Sequence, residues 1–252
     1  MGSCNSLAAI LTFVLSFTVT GFGQANGVPI GMLVRTLYIK AGNKSGTSFL
    51  IDYRGKSYFV TAKHVVSDLP RKGAKFQVFR QQDWKDVTAD VLEPHNNEVD
   101  IAVLDPKWDA TPSDWAPELS SGSVNMGGQV YFLGYPFGLH NLFKAEYVPF
   151  VKQGVLSAID GSDATAVLIY VDGFNNEGFS GGPIIAFTDQ KWRVLGVVKG
   201  YRQEAAKTAV AGRSVDTNVL VNSGILVAYD IKHALEAIDA VPVQPSAPNS
   251  TR

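Results

Sequence analysis

Short runs of apolar and β-branched residues recur along the chain and predict strands, because each run is bounded by Gly, Pro, Asn or Asp. Two of these runs, 48–52 and 57–61, flank the turn at 53–56 and predict a β-hairpin. The other predicted strands lie in the ranges 75–80, 87–92, 99–104, 129–133, 148–159, 166–171, 183–187 and 192–200.

The strands fall into two groups, because the composition shifts to Pro, Asp, Ser and Gly between residues 105 and 128. Two groups of short strands favour packed barrels over a parallel sheet with crossover helices. We predict an all-β fold of two packed six-stranded antiparallel β-barrels with a C-terminal helix. The expected segments are a barrel over 26–108, a linker over 109–128, a barrel over 129–228, a helix over 229–240 and a disordered tail over 241–252.

The C-terminal helix is predicted from an apolar stripe that follows Asp230, which stands at an N-cap position. Ile231, Ala234, Leu235 and Ile238 share one helical face. Beyond it, Pro, Ser and Asn predominate and predict the disordered tail.

The N-terminus has the pattern of an export signal. An almost uncharged apolar run over 7–19 is too short to span a bilayer easily, and Gly23 and Ala25 offer a cleavage site of small residues. We expect residues 1–25 to be a cleaved signal peptide and the mature protein to be secreted or periplasmic. Two alternatives stay open: an uncleaved anchor, and N-myristoylation at Gly2.

Composition and net charge limit the classes of partner and cofactor that we expect for this protein. Hydrophobic residues make up 46% and charged residues 18%, which allows a sizeable core. A net charge of −1 without a basic run argues against nucleic-acid partners and, after signal cleavage, against a membrane. The single cysteine, Cys4, lies in the predicted signal, so we expect no disulfide, no metal and no other cofactor.

The segment around Ser180 is the strongest chemical motif. A serine hydroxyl is a poor nucleophile without a base and without donors for the developing oxyanion. Gly178, Gly181 and Gly182 allow a sharp turn that directs backbone N–H groups into one cavity. Pro183 then begins a β-branched run. The alternative is that this segment is an ordinary Gly-Ser turn with no catalytic role.

The same residues also satisfy the Gly-x-Ser-x-Gly elbow of α/β-hydrolases, which are esterases and lipases. That elbow requires a helix after the serine and a histidine after the acid. A strand pattern follows Ser180, and the only later histidine, His233, lies in the predicted helix. The elbow is therefore the weaker interpretation.

Two upstream residues complete a set of three. His64 follows the predicted strand at 57–61, and Asp100 stands at the start of a buried strand. Each of these placements is common in structural residues. Their order of His, Asp and Ser, with strands between them, points to nucleophilic catalysis.

The runs 61–65 and 100–104 and the motif around Ser180 resemble trypsin-like serine peptidases of the chymotrypsin superfamily. The bacterial type, similar to the protease domain of high-temperature-requirement proteases, also carries a turn like that at 134–138. The resemblance covers roughly residues 31–239. It implies a serine endopeptidase that acts on protein or peptide substrates, with His64, Asp100 and Ser180 as the triad. It also implies an oxyanion hole formed by the backbone of Gly178 and Ser180.

The resemblance also implies a substrate pocket, with Phe174 at its base and Lys199, Gly200 and Tyr201 in its wall. Phe174 would make the pocket apolar or shallow, Lys199 would favour an acidic side chain, and Asp172 leaves a basic preference open. Phe179 stands where many animal members of the family carry an aspartate that pairs with a newly released N-terminus. Activation of that kind is not expected here. The rival from another class is a catalytically silent two-barrel scaffold that keeps the motifs.

Overall fold

The computed structural model describes residues 27–107, 116–122, 124–143, 146–210 and 213–241. The predicted signal peptide, the predicted tail beyond residue 241 and residues 109–115 of the predicted linker lie outside these ranges. Among the helices that the structure describes, none has both the length and the apolar character needed to cross a bilayer.

The elements of the N-terminal half are α1 (Ile30–Arg35), β1 (Thr36–Ala41), β2 (Lys44–Tyr53), β3 (Lys56–Thr61), α2 (Lys63–Val66), β4 (Ala74–Arg80), β5 (Asp83–Leu92) and β6 (Ala102–Pro106). The six strands form a closed antiparallel barrel in the order β1-β2-β3-β6-β5-β4. Arg54 and Gly55 join β2 and β3 with φ angles of 50° and 77°, as a type I′ hairpin turn requires.

The elements of the C-terminal half are β7 (Glu118–Leu119), β8 (Gln129–Gly134), the 3₁₀ turn Pro136–Gly138, β9 (Asn141–Phe143), β10 (Glu146–Val148), β11 (Phe150–Asp160), β12 (Leu168–Asp172), β13 (Pro183–Thr188), β14 (Lys191–Val210), β15 (Arg213–Asp230) and α3 (Lys232–Asp239). Six of these strands form a second ring in the order β13-β8-β11-β12-β15-β14, which closes because β13 pairs with both β8 and β14. The short strand β7 pairs with β14 in parallel.

Burial on both faces explains why some strands read as continuous apolar runs. In β3 and β6, Phe59 and Leu104 fill the first barrel. The alternate residues Tyr58, Val60 and Val103 belong to a second cluster that joins the two barrels and α3. A third cluster fills the second barrel. The predicted all-β, chymotrypsin-like fold is confirmed, and strand β13 after Ser180 contradicts the α/β-hydrolase alternative.

Four local features differ from expectation. Helix α1 was not predicted, and β7 falls inside the range expected to be a linker. Strands β14 and β15 continue past the barrel as a long two-stranded ribbon. Helix α3 starts only at Lys232, because Asp230 still pairs with Gly196 in the sheet. The Asp230 carboxylate nevertheless accepts the Lys232 N–H at 2.9 Å.

His233 ties α3 to the second barrel. Its side chain is fully buried, and the backbone N–H of Val167 donates to Nε2 at 3.0 Å. Since Nε2 accepts, the ring proton is on Nδ1, which lies 2.7 Å from Glu236 Oε2. A neutral histidine therefore satisfies a buried backbone donor.

We expect His233→Ala to lower the free energy of unfolding by about 3 kcal/mol, because it leaves a cavity and an unpaired Val167 N–H. His95→Ala is the matched control, since His95 is an exposed histidine. It should change the free energy of unfolding by less than about 0.5 kcal/mol. Urea unfolding measures both, and equal losses would contradict this role for the buried imidazole.

Candidate active site

Ser180 lies in the loop between β12 and β13, and the residue before it anchors that loop. Phe179 is completely buried, with its ring centroid 5.3 Å from that of Phe132 in an edge-to-face contact. The flanking residues Gly178 and Ser180 are only partly buried. A buried aromatic side chain thus holds the backbone on either side of it near the surface.

Two glycines allow this loop to approach its neighbours closely. Gly178 has φ 96°, and a Cβ there would lie 2.2 Å from the Tyr135 carbonyl oxygen. Gly181 has φ 85°, and its Cβ would lie 2.1 Å from the Thr47 carbonyl oxygen. Only glycine satisfies both the dihedral angle and the space at these positions.

The peptide between Glu177 and Gly178 has a defined orientation. The Glu177 carbonyl accepts the Phe137 N–H at 2.9 Å. Because carbonyl and N–H point in opposite directions across a trans peptide, the Gly178 N–H faces the other way. Within the described part of the chain, neither the Gly178 nor the Ser180 N–H has a protein acceptor.

His64 and Asp100 form a close pair. His64 Nδ1 lies 2.6 Å from Asp100 Oδ2, and the His64 backbone N–H donates to Oδ1 at 2.9 Å. An ionised carboxylate only accepts, so Nδ1 carries the proton and Nε2 has its lone pair free to accept. The His64 side chain is 51% exposed, whereas that of Asp100 is 12% exposed.

Local packing explains this placement. Val99 and Ile101 are fully buried on either side of Asp100, and alternation directs the aspartate away from the core. In the single turn α2, buried Val65 and Val66 leave His64 on the outer side. The Lys63 N–H also donates to the Asp100 carbonyl at 3.3 Å, which links the two segments.

Ser180 Oγ donates to the Lys199 carbonyl at 3.1 Å. Lys199 in turn lines an open pocket of about 550 Å³ together with His64 and Asp100. His64 and Asp100 thus line one pocket, and Ser180 is hydrogen-bonded to Lys199, a third residue of that lining. The serine hydroxyl has a single proton, and in this structure it is directed at Lys199 instead of His64.

The predicted pocket residues separate into two places. Lys199, Gly200 and Tyr201 line the pocket beside His64, between two register shifts in β14 that bend the strand. Phe174 is not among the residues lining that pocket, and it is 57% exposed. The remaining lining residues are Leu168, Tyr170, Arg202 and Val227.

Tyr229 interacts with two residues that line the pocket, Lys199 and Asp100. Its hydroxyl donates to the Glu98 carbonyl at 2.6 Å, and the Lys199 ammonium lies 5.5 Å from its ring centroid. Burial and, next, the Asp100 charge raise the pKa of Tyr229, so it stays a neutral donor. Among the described residues, no group of three or more His, Asp or Glu side chains is arranged to hold a metal ion.

Two residues that the sequence did not point to contact the Ser180 loop. Thr47 is fully buried, and its hydroxyl donates to the Gly178 carbonyl at 2.6 Å while accepting the Tyr135 N–H at 3.1 Å. Its own N–H donates to the Ser180 carbonyl at 2.9 Å. Lys152 in β11 approaches the same loop, and burial lowers its pKa.

We expect Thr47→Val to lower the free energy of unfolding by about 1–3 kcal/mol, because it leaves the Tyr135 N–H and the Gly178 carbonyl without a partner. Thr88→Val in β5 is the matched control. Thr88 is a partly buried strand threonine whose hydroxyl has no hydrogen bond among the described residues. The midpoint of thermal unfolding should fall only for the Thr47 variant. Equal shifts in the two variants would contradict a stabilising role for the Thr47 hydrogen bonds.

The chain is similar to known proteins in both its sequence family and its fold. Residues 46–197, more than half of the 252-residue chain, match the family model of the trypsin-like peptidase domain. Rv3671c from M. tuberculosis H37Rv, in an inactive form, is similar in structure with a TM-score of 0.55 and 19% identity over 86% of this chain and 92% of that chain.

Two further solved structures have the same fold. The serine endoprotease from Yersinia pestis has a TM-score of 0.53 and 18% identity over 84% of this chain and 67% of that chain. The HtrA-type protease AlgW with a tripeptide has a TM-score of 0.54 and 22% identity over 82% of this chain and 60% of that chain. The family expected from the sequence is thus confirmed: the chain belongs to the trypsin-like peptidase family and is a serine endopeptidase.

Proposed function

We propose that this peptidase is exported and hydrolyses peptide bonds through Ser180, His64 and Asp100 by way of an acyl-enzyme. One observation carries the proposal: Asp100 holds both the ring and the backbone N–H of His64 beside the pocket that Ser180 adjoins. This pairing leaves His64 Nε2 as the available base.

In the first step, Ser180 Oγ attacks the scissile carbonyl carbon while His64 Nε2 takes the hydroxyl proton. The proton then passes to the amide nitrogen, the C–N bond breaks and the amine leaves. Water repeats the attack on the acyl-enzyme, with His64 again as base, and frees Ser180. Asp100 stabilises the imidazolium that forms in each half of the reaction.

Before attack, the Ser180 hydroxyl would turn from the Lys199 carbonyl towards His64 Nε2. We expect rotation about the Cα–Cβ bond to bring this about, and such rotation is fast for a partly exposed side chain. The developing oxyanion would be bound by the backbone N–H groups of Gly178 and Ser180, and losing one such donor typically costs about 10²–10³ in kcat.

The peptide substrate would lie along the β14 wall formed by Lys199, Gly200 and Tyr201. The pairing of β13 with β14 ends at Val197, so among the described residues β13 does not pair with the wall and leaves that edge open to a substrate. Phe174 lies outside the pocket that His64 lines, and it is proposed as the base of a separate pocket for the substrate side chain. Its exposed ring suits an apolar or shallow contact.

We expect a fluorophosphonate probe to label the protein at Ser180 and Ser180→Ala to abolish labelling. His64→Ala should slow labelling by about 10²–10⁴-fold, the usual contribution of a positioned base. His95→Ala is the matched control, because His95 is an exposed histidine in the loop before β6. Mass spectrometry of the labelled peptide identifies the modified residue.

The same experiment separates the peptidase from a catalytically silent two-barrel scaffold, whose serine would keep its bond to Lys199. A folded protein that resists the probe, or that reacts equally after His64→Ala, would favour the scaffold.

Export is supported by the apolar run at 7–19 and the small residues that follow it. We expect the full chain, expressed with its own N-terminus in a bacterial host, to appear outside the cytoplasm with a new N-terminus just after Gly23 or Ala25. N-terminal sequencing measures this. An intact Met1 on protein that stays in the cytoplasm would contradict export.

A further inference from the structure

Lys152 contacts four groups of the loop that leads to Ser180. Its Nζ donates to the Phe174 carbonyl at 2.7 Å and to Asn176 Oδ1 at 2.6 Å. The same ammonium lies 5.6 Å from the Phe174 ring centroid and 5.3 Å from that of Phe179. These are charge-assisted hydrogen bonds and cation–π contacts, all directed at residues 174–179.

Two of these contacts are to the first and the last residue of one β-turn. The Phe179 N–H reaches the Asn176 carbonyl at 3.4 Å, which closes a four-residue turn over 176–179. Gly178 is its third residue, and a φ of 96° there is the signature of a type II turn. Lys152 bonds the first residue of the turn and lies over the ring of the last.

The central peptide of this turn carries the Gly178 N–H. A type II turn changes to type I when that peptide flips, and the flip would turn the N–H away from its present direction. Two features oppose the flip. Lys152 holds the first and last residues of the turn, and the Phe137 N–H donates to the Glu177 carbonyl. An ammonium suits this bracing position because it offers several donors as well as a charge for the ring face.

We propose that Lys152 is a positioning residue that braces the 176–179 turn and so keeps the Gly178 N–H directed at the reacting carbonyl. The inference rests on the proteolytic function proposed above. It assigns Lys152 a role in the transition state and none in recognising the substrate side chain.

The test compares peptide hydrolysis by the parent protein and Lys152→Met, which keeps the apolar stem and loses the ammonium. We expect kcat to fall by about 10–100-fold, part of the full loss of an oxyanion donor, with KM changed less than about threefold. Lys75→Met is the matched control, because Lys75 is an exposed strand lysine in β4. It should match the parent.

Chemical rescue supplies a readout that a merely structural role would not reproduce. In a Cys4→Ser background, Lys152→Cys should be as impaired as Lys152→Met. Alkylation with 2-bromoethylamine then restores an ammonium at nearly the lysine length. We expect kcat to recover to within about threefold of the parent if the charge and its donors are what matter.

Each other outcome overturns a stated idea. Parent-like kcat in Lys152→Met, or a loss confined to KM or to substrates with acidic side chains, overturns the positioning role. If Lys152→Met does not fold, Asn176→Ala carries the test, since it removes one acceptor and should lower kcat by about 3–10-fold. An unchanged kcat there also overturns the role. No Ser180-dependent hydrolysis by the parent overturns the proposed function, and this inference with it.

Discussion

The hydroxyl and amide of Thr47 are the contacts on which the geometry around Ser180 depends. Thr47 belongs to the first barrel, and it donates hydrogen bonds to the carbonyls of both Gly178 and Ser180. Its hydroxyl also accepts the N–H of Tyr135, a residue of the second barrel. Its own carbonyl accepts the Thr61 hydroxyl at 2.7 Å. The N–H, the carbonyl and the hydroxyl of buried Thr47 are therefore all hydrogen-bonded where the two barrels meet, at a place where an unpaired group would be costly.

The Ser180 loop is held from three directions. Thr47 secures it from the first barrel, the turn after β8 secures the Glu177 carbonyl, and Phe179 fills the core of the second barrel. A loop with this many fixed points has little freedom to reorganise when charge develops. In such a site, preorganised dipoles stabilise charge without the cost of reorientation that water would incur.

The sequence was informative where function needs particular residue types in short segments. His64, Asp100 and Ser180 stand in recognisable local patterns, and the apolar runs of β3 and β6 follow from burial on both faces. Thr47 and Lys152 were not recognisable, because each lies in an ordinary strand and acts through residues distant in sequence. The position of Phe174 depends on loop conformation, and the ribbon of β14 and β15 depends on pairing between segments with no strong apolar alternation.

The pairing of β14 with β15 in that ribbon limits which insertions and deletions the chain can accept there. Its strands pair from Gly196 and Asp230 outward, and the pocket wall at Gly200 and Tyr201 is paired with Val227 and Leu226 before the ribbon leaves the barrel. Residues inserted or deleted in matched pairs, one from each strand, leave the register at the wall intact. An unmatched change near the wall would turn its side chains to the opposite face. Relatives should therefore vary in ribbon length while keeping the wall in place.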